Sequence, residues 1–129
     1  MILLDTHALV WLVAQPKRLS AAARSAIASS TDGLAIADIT LWELAVLFQR
    51  GHLGGLGTVE ASVRLLTESA GASVRPITSE LAALAAQFPD DYPCDPADRL
   101  IGATALTEGM ALVTRDEGIR ASKLVKTIW

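Results

Sequence analysis

Apolar positions in this chain fall into two kinds of stretch that alternate along it. Short, nearly unbroken runs at Met1–Asp5, Leu34–Ala37, Ala72–Ile77, Ala111–Thr114 and Val125–Trp129 read as strands. Between them lie stretches with helical spacing. Ser20–Ser30 has a serine at its N-cap position and an alanine-rich body. Leu41–Arg50 carries Leu41, Leu44, Ala45, Leu47 and Phe48 on a helical repeat, and Val59–Ser69 and Glu80–Phe88 are similarly periodic. Pro96–Glu108 opens on proline, which suits the first helical position, and is followed by Gly109, a C-cap residue. Continuous apolar strands are usually covered on both faces. Alternating with helices, they predict an α/β fold, a parallel sheet of about five strands sandwiched by helices. The glycine-rich segment His52–Gly57 reads as a turn between two helices, since it lacks the spacing and lysine of a phosphate loop.

The length of 129 residues suits one domain, residues 1–129. A domain of this size buries roughly two-thirds of its unfolded surface, so no disulfide or structural metal is needed. The apolar fraction of 51% is high, as is the mean hydropathy of +0.39. Alanine and leucine account for much of it, and no apolar run approaches the roughly 18–20 residues of a membrane span. The opening Met1-Ile2-Leu3-Leu4-Asp5 has no basic segment and is not a secretory signal pattern. Cys94 is the sole cysteine, which excludes an internal disulfide and favours a reducing, cytoplasmic setting. A net charge of −3 gives no global attraction to nucleic acid; such a substrate would need local basic groups and a cation over the acids.

The candidate chemistry lies in where the acids fall. Open parallel sheets bind ligands beyond the carboxyl ends of their strands. Asp5 ends the first strand, Glu43 follows the second in the expected first turn of a helix, and Asp116 follows the fourth. Asp98 sits in the first turn of the helix leading into that fourth strand. Capping competes with function at each. Thr40-Leu41-Trp42-Glu43 fits a capping box, Asp95-Pro96-Ala97-Asp98 is a near-match, and Asp116 suits the cap of a short turn, Glu117–Arg120. Taken singly, Glu43 and Asp116 are explained by capping. Asp98 divides evenly, because Asp95 suffices as the cap. Asp5 is explained least, since an acid at the edge of a core is costly unless paired or bound. Clustered carboxylates repel, and one would take up a proton unless a cation joined them. Oxygen ligands without histidine or cysteine suit Mg²⁺ or Mn²⁺ and point to phosphodiester chemistry.

Read together, the motifs resemble the PIN-domain ribonucleases of the VapC toxin type, found in toxin–antitoxin pairs. Leu3-Leu4-Asp5-Thr6-His7-Ala8-Leu9-Val10-Trp11 is similar to that family's first strand and first acid. Thr40–Glu43 resembles its second motif, Asp95-Pro96-Ala97-Asp98-Arg99-Leu100-Ile101-Gly102-Ala103-Thr104-Ala105 its third, and Leu112-Val113-Thr114-Arg115-Asp116 its fourth. The likeness runs end to end, and the four motifs together are specific where each alone is weak.

The resemblance implies a three-layer α/β/α fold and Mg²⁺- or Mn²⁺-dependent RNA cleavage by an activated water. It makes Asp5 and Asp98 the principal metal ligands, with Asp116 a further one and Glu43 completing the cluster and positioning water. Thr6, Thr114, Arg99, Arg115 and Asp95 become candidates for substrate contact or for supporting the acids. Thr114 either holds water or phosphate or bonds backbone. Arg99 and Arg115 either hold phosphates or make salt bridges to neighbouring acids. Asp95 is favoured as the helix cap. The resemblance also implies an antitoxin partner, whose helix would lie in an apolar groove near the helical pair around His52–Gly57, and a homodimer. Pro93-Cys94 stands where many relatives carry histidine, which leaves the acids intact.

Other residues have simpler readings. His7 is expected to make a local hydrogen bond and His52 to be exposed; two such distant histidines make no zinc site. Core packing is expected for Trp11, Trp42 and Phe48, with a partner groove as the alternative. A receiver-like signalling domain would need a phosphoacceptor aspartate ending the third strand, where Ile77-Thr78 stands. A haloacid dehalogenase-type phosphatase would need aspartate at His7. A catalytically silent PIN-like binding module would lack an acid, and none is missing.

Overall fold

The computed structural model describes all residues, 1–129. Its centre is β1 (Ile2–Leu4), where consecutive leucines serve opposite faces of a sheet. Leu3 joins a core with Ala35, Leu81, Ile101 and Leu112, whereas Leu4 joins a second with Leu9, Ile36, Leu44 and Val113. Both leucines are fully buried, worth about 1.5–3 kcal/mol each. Apolar residues on both faces force helices onto both faces, and the sequence expectation of an α/β/α sandwich holds.

The sheet contains β1, β2 (Leu34–Ala37), β3 (Ala72–Arg75), β4 (Ala111–Val113) and β5 (Thr127–Ile128) in the order β3-β2-β1-β4-β5, all parallel. Leu3 pairs with Ala35 on one side and Leu112 on the other. Helices α1 (Thr6–Ala14), α2 (Ala21–Ser29), α3 (Asp38–Gln49) and α4 (Val59–Ala70) contribute to the Leu4 core. Helices α5 (Ser79–Ala86), α6 (Pro96–Glu108) and α7 (Glu117–Ser122) contribute to the Leu3 core. The chain builds outward from β1 to β3, then crosses back to build β4 and β5 on the other side. The order therefore switches between β1 and β4. No helix is long and apolar enough to cross a membrane.

Several elements differ from their sequence expectation. β3 stops at Arg75 rather than Ile77, because Pro76 has no N–H for the ladder. It is an edge strand with Ser73 and Val74 exposed, so it is not covered on both faces. β5 is confined to Thr127–Ile128. α1 follows β1 at once, in a stretch where the sequence reading draws no helix. α3 begins at Asp38, three residues before Leu41. α6 ends as expected at Gly109, and α4 runs one residue past Ser69 to end at Gly71; both glycines have φ 65°, in the left-handed region that glycine enters freely. Residues 52–57 connect α3 to α4, as the glycines suggest.

Candidate active site

The switch in strand order places a crevice where the chain leaves β1 and β4. Asp5 continues the ladder there, its backbone N–H donating to the Val113 carbonyl at 3.0 Å. Its carboxylate is fixed twice. Oδ1 accepts from the Thr6 N–H at 2.8 Å, capping α1, and Oδ2 accepts from the Thr114 hydroxyl at 2.6 Å. Only 4% of Asp5 is exposed. Thr114 in turn accepts from the Asp116 N–H at 3.0 Å. Its hydroxyl therefore joins the two acids across the switch point, and bonds both a side chain and the backbone.

Asp116 caps α7, with Oδ1 accepting from the Ile119 N–H at 2.9 Å, as its sequence position suggests. Asp95 caps α6 by accepting from the Asp98 N–H at 3.1 Å, which frees the Asp98 side chain. Glu43 is a correction. Because α3 starts at Asp38 with Ala37 at its N-cap, Thr40–Glu43 is not a capping box and Glu43 does not lie in the first turn. Its Oε1 accepts instead from the Thr6 hydroxyl at 2.6 Å, and the Thr40 hydroxyl lies 3.2 Å from the same Thr6 oxygen. Thr6 thus holds Glu43 just as Thr114 holds Asp5.

Asp5, Glu43, Asp98 and Asp116 share a cleft of about 270 Å³, whose wall also includes Thr6, His7, Val10, Trp11 and Leu47. Their mutual charge is visible in their proton affinities. Burial pushes the Asp98 carboxyl up to about 7, helped by the charges of Asp5, Asp95, Asp116 and Glu43. Burial also raises Glu43; the Thr6 hydrogen bond opposes this, and Asp5 and Asp95 reinforce it. None of the four acids forms an ion pair with a lysine or arginine; only His7 Nδ1 approaches one, at 3.6 Å from Asp5 Oδ2. No three acidic, histidine or cysteine side chains are gathered closely enough here to form a ready-made metal site. An open set of oxygens with uncompensated charge fits a hard cation such as Mg²⁺, which keeps several of its waters.

Arg99 is a second correction. It makes no salt bridge to a neighbouring acid. It donates to the carbonyls of Pro93 and Phe88 at 3.0 Å each, and of Pro89 and Tyr92 at 3.4 Å each. Residues 88–93 lie outside regular structure and need partners for these carbonyls, which the arginine fork supplies. The same segment delivers Tyr92, 1% exposed, whose hydroxyl donates to the Asp98 carbonyl at 3.1 Å. Gly102 makes this approach possible: a Cβ there would collide with the Tyr92 hydroxyl and lie 3.0 Å from the Phe88 ring. Sequence reasoning missed Tyr92, and Thr40 as part of the Thr6 network. For Tyr92 the signal was a tyrosine six residues before Asp98 with a glycine inside the helix.

Arg115 is exposed, and its backbone N–H donates to His7 Nε2 at 3.1 Å, a bond across 108 positions of the chain rather than the local one expected of that histidine. His52 and Cys94 are exposed and line none of the acid cleft. Trp42 departs from its core expectation, being 63% exposed, while Trp11 and Phe48 are partly buried.

Comparison with known proteins bears on this arrangement. The PIN domain model matches residues 2–123. Ribonuclease VapC22 of Mycobacterium tuberculosis is 40% identical over 132 residues, covering 99% of this chain and 98% of that protein. Among solved structures, DNA-bound VapBC from Salmonella typhimurium superposes with a TM-score of 0.71 at 18% identity, covering 98% of this chain and 97% of that one. A toxin–antitoxin complex from Klebsiella pneumoniae gives 0.63 at 23% identity, covering 90% and 87%. The chain belongs to the PIN domain family, and within it groups with the VapC proteins.

Proposed function

We propose that this chain, residues 1–129 acting as one PIN-like nuclease domain, is a Mg²⁺- or Mn²⁺-dependent endoribonuclease and the toxin of a toxin–antitoxin pair. The observation that carries the reading is the meeting of four carboxyl groups at the switch point without a lysine or arginine to neutralise them. The near-full-length likeness to a protein named as a ribonuclease supports RNA as the substrate.

In this reading Asp5, Asp98 and Asp116 would hold the cation. When bound, the ion supplies charge neutralisation at the phosphodiester and activation of water. The chain's own residues do the rest. Thr114 fixes the Asp5 carboxylate by donating to Oδ2. Thr6 fixes Glu43, whose free oxygen orients the attacking water by accepting its hydrogen bond. Tyr92 and Asp95 hold the backbone turn that carries Asp98, through its carbonyl and its N–H respectively. His7 bonds the Arg115 backbone and keeps the β4–α7 loop against α1.

The partner reading follows from an apolar groove. Residues including Val13, Phe48, Leu53, Leu56 and Leu65 line a cavity of about 390 Å³ beside the α3–α4 turn. Leu56 and Leu65 are 75% and 52% exposed, so this surface suits an amphipathic helix. We assign it to the antitoxin, as expected for relatives solved as toxin–antitoxin complexes, and we take the protein to form a homodimer.

The test is incubation of purified, antitoxin-free protein with total RNA, with Mg²⁺, with Mn²⁺ and with chelator, alongside Asp98→Asn. Cleavage is expected only with metal and only in the native chain. Equal cleavage in chelator or in the variant would overturn the mechanism.

A further inference from the structure

Trp11 lines the acid cleft, yet the chemistry above does not use it. It stands on α1 at the cleft mouth, partly exposed, with an unusual set of neighbours. The Arg18 guanidinium carbon lies 4.4 Å from the indole centroid, and that of Arg115 lies 5.9 Å away. The His7 ring lies 4.9 Å from it and the Trp129 ring 5.7 Å, both tilted. Neither arginine is paired with a carboxylate: the side-chain hydrogen bond of Arg18 goes to Gln15 at 3.4 Å, and neither forms a salt bridge. Beside the ring, Trp11, His7, Arg115, Asp116 and Glu117 enclose a hollow of about 420 Å³. The hollow and the acid cleft share His7, Trp11 and Asp116, so they lie side by side.

A cation on an exposed aromatic face gains about 0.5–1 kcal/mol. That accounts for one guanidinium on Trp11. It does not by itself explain why two guanidiniums stand at one ring with neither in a salt bridge, although Asp116 and Glu117 line the hollow beside Arg115. A bound anion would give these guanidiniums a charged partner. An RNA nucleotide combines such an anion with a flat base, and single-stranded RNA is held by aromatic stacking together with arginine contacts. The chain carries net charge −3 and its cleft is acidic, so RNA needs local cations to approach it. These two arginines stand at the right place to supply them.

We propose that Trp11, Arg18 and Arg115 form a nucleotide subsite for the residue adjoining the cleaved phosphodiester of single-stranded RNA. A base displaces the Arg18 guanidinium from the Trp11 ring and stacks there, and the two guanidiniums neutralise the adjoining phosphate. The proposal rests on the ribonuclease reading and extends it to substrate binding.

The experiment measures anisotropy of a labelled, short, random-sequence single-stranded RNA over a salt series. Asp98→Asn serves as the non-cleaving parent, with Mg²⁺ present, and cleavage by the native chain is followed in parallel. Added to that parent, Trp11→Leu is expected to weaken binding about tenfold, whereas Trp11→Phe stays within about threefold because stacking survives. Arg115→Gln and Arg18→Gln are each expected to flatten the slope of log affinity against log salt by about 0.7, the signature of one lost phosphate contact to a single strand. Melting curves check that each variant folds; if Trp11→Leu does not, the arginine slopes decide. Unchanged affinity and slope, with a parent that binds and a native chain that cleaves, would overturn the subsite alone. A parent that does not bind and a native chain that does not cleave would overturn the ribonuclease reading with it.

Discussion

Asp5 and Asp38 each follow the last residue of one of two adjacent parallel strands, β1 and β2, but only Asp5 enters the acid cleft. Asp38 begins α3, and its Oδ2 accepts from the Ile77 N–H at 2.9 Å. The neighbouring strands explain the difference. Beyond β2 and β3, the segment after β3 folds back and gives a backbone N–H to Asp38, so the chain closes that gap with its own hydrogen bonds. Beyond β1 and β4, the chain departs to α1 on one face and α7 on the other. Thr114 bridges the gap, but open space remains for the carboxylates to face. A strand-end aspartate is thus structural or available for chemistry according to what the next loop does, and the switch in strand order leaves one gap unfilled.

The sharpest way to break this comparison is to remove the charge of Asp5. Asp5→Asn keeps an oxygen acceptor for the α1 cap, so the fold should survive, with a change of about 1 kcal/mol in a denaturant melt. RNA cleavage should fall by about 100-fold or more, because a cationic site loses a charged ligand. Cleavage within a few-fold of native would place the working acids elsewhere. Thr114→Val probes the bridge itself. It removes the hydroxyl that fixes Asp5 and takes the Asp116 N–H, while Asp5 keeps its charge. A loss of about 10–100-fold in activity or cation affinity is expected, the usual effect of removing a hydrogen bond that orients a ligand. Titration of Mg²⁺ in the cleavage assay and by calorimetry measures both.

The crowding of charge in the cleft has its own signature in pH. In the metal-free protein Asp98 is raised from 3.8 to about 7, so between those values the folded chain holds a proton that the unfolded chain has released. Stability from this group is fully present below about pH 4 and is lost as pH rises through 7. Melting temperature in chelator should therefore decline over that window, and Asp98→Asn should flatten the decline. Cation binding, which needs the ionised carboxylate, should strengthen over the same window and release protons. A decline equally steep in Asp98→Asn would assign the effect to other groups.

Much of this architecture is legible in the chain. Unbroken apolar runs alternating with helical spacing suffice for the parallel sheet, and acids after those runs suffice to look for a site at its carboxyl edge. Asp95 before a proline, Asp116 before a short turn, and Gly109 after α6 can be read locally, because caps are local chemistry. α1 is harder. Thr6–Ala14 is apolar on nearly every side, so no polar face marks its period. The start of α3 misleads because Thr40 and Glu43 sit at capping-box spacing while the helix already runs through them. What no local pattern carries is pairing across the fold. Thr114 bonds Asp5 from 109 positions away, and Thr6 reaches Glu43 from 37. Arg99 adjoins Asp98 in sequence, yet it spends its donors on carbonyls 6 to 11 residues earlier.

The smallest expected effect comes from the other half of the comparison. Asp38→Ala deletes the acceptor of the Ile77 N–H and leaves that donor to find water, which costs about 1 kcal/mol. It also removes Oδ1, which is buried without a partner. That oxygen is a liability in the native fold, so its loss offsets part of the cost. Alanine is the better helix former, but at this first helical position the lost interaction of the acid with the helix N-terminus offsets that gain. The net change in stability should therefore lie within about 1 kcal/mol of zero. Cleavage should stay within about twofold of native, because none of the four acids is bonded to Asp38. A large loss of cleavage with an unchanged melt would mean that the β2 edge takes part in the chemistry, and that filling a gap with backbone hydrogen bonds is not what separates these two aspartates.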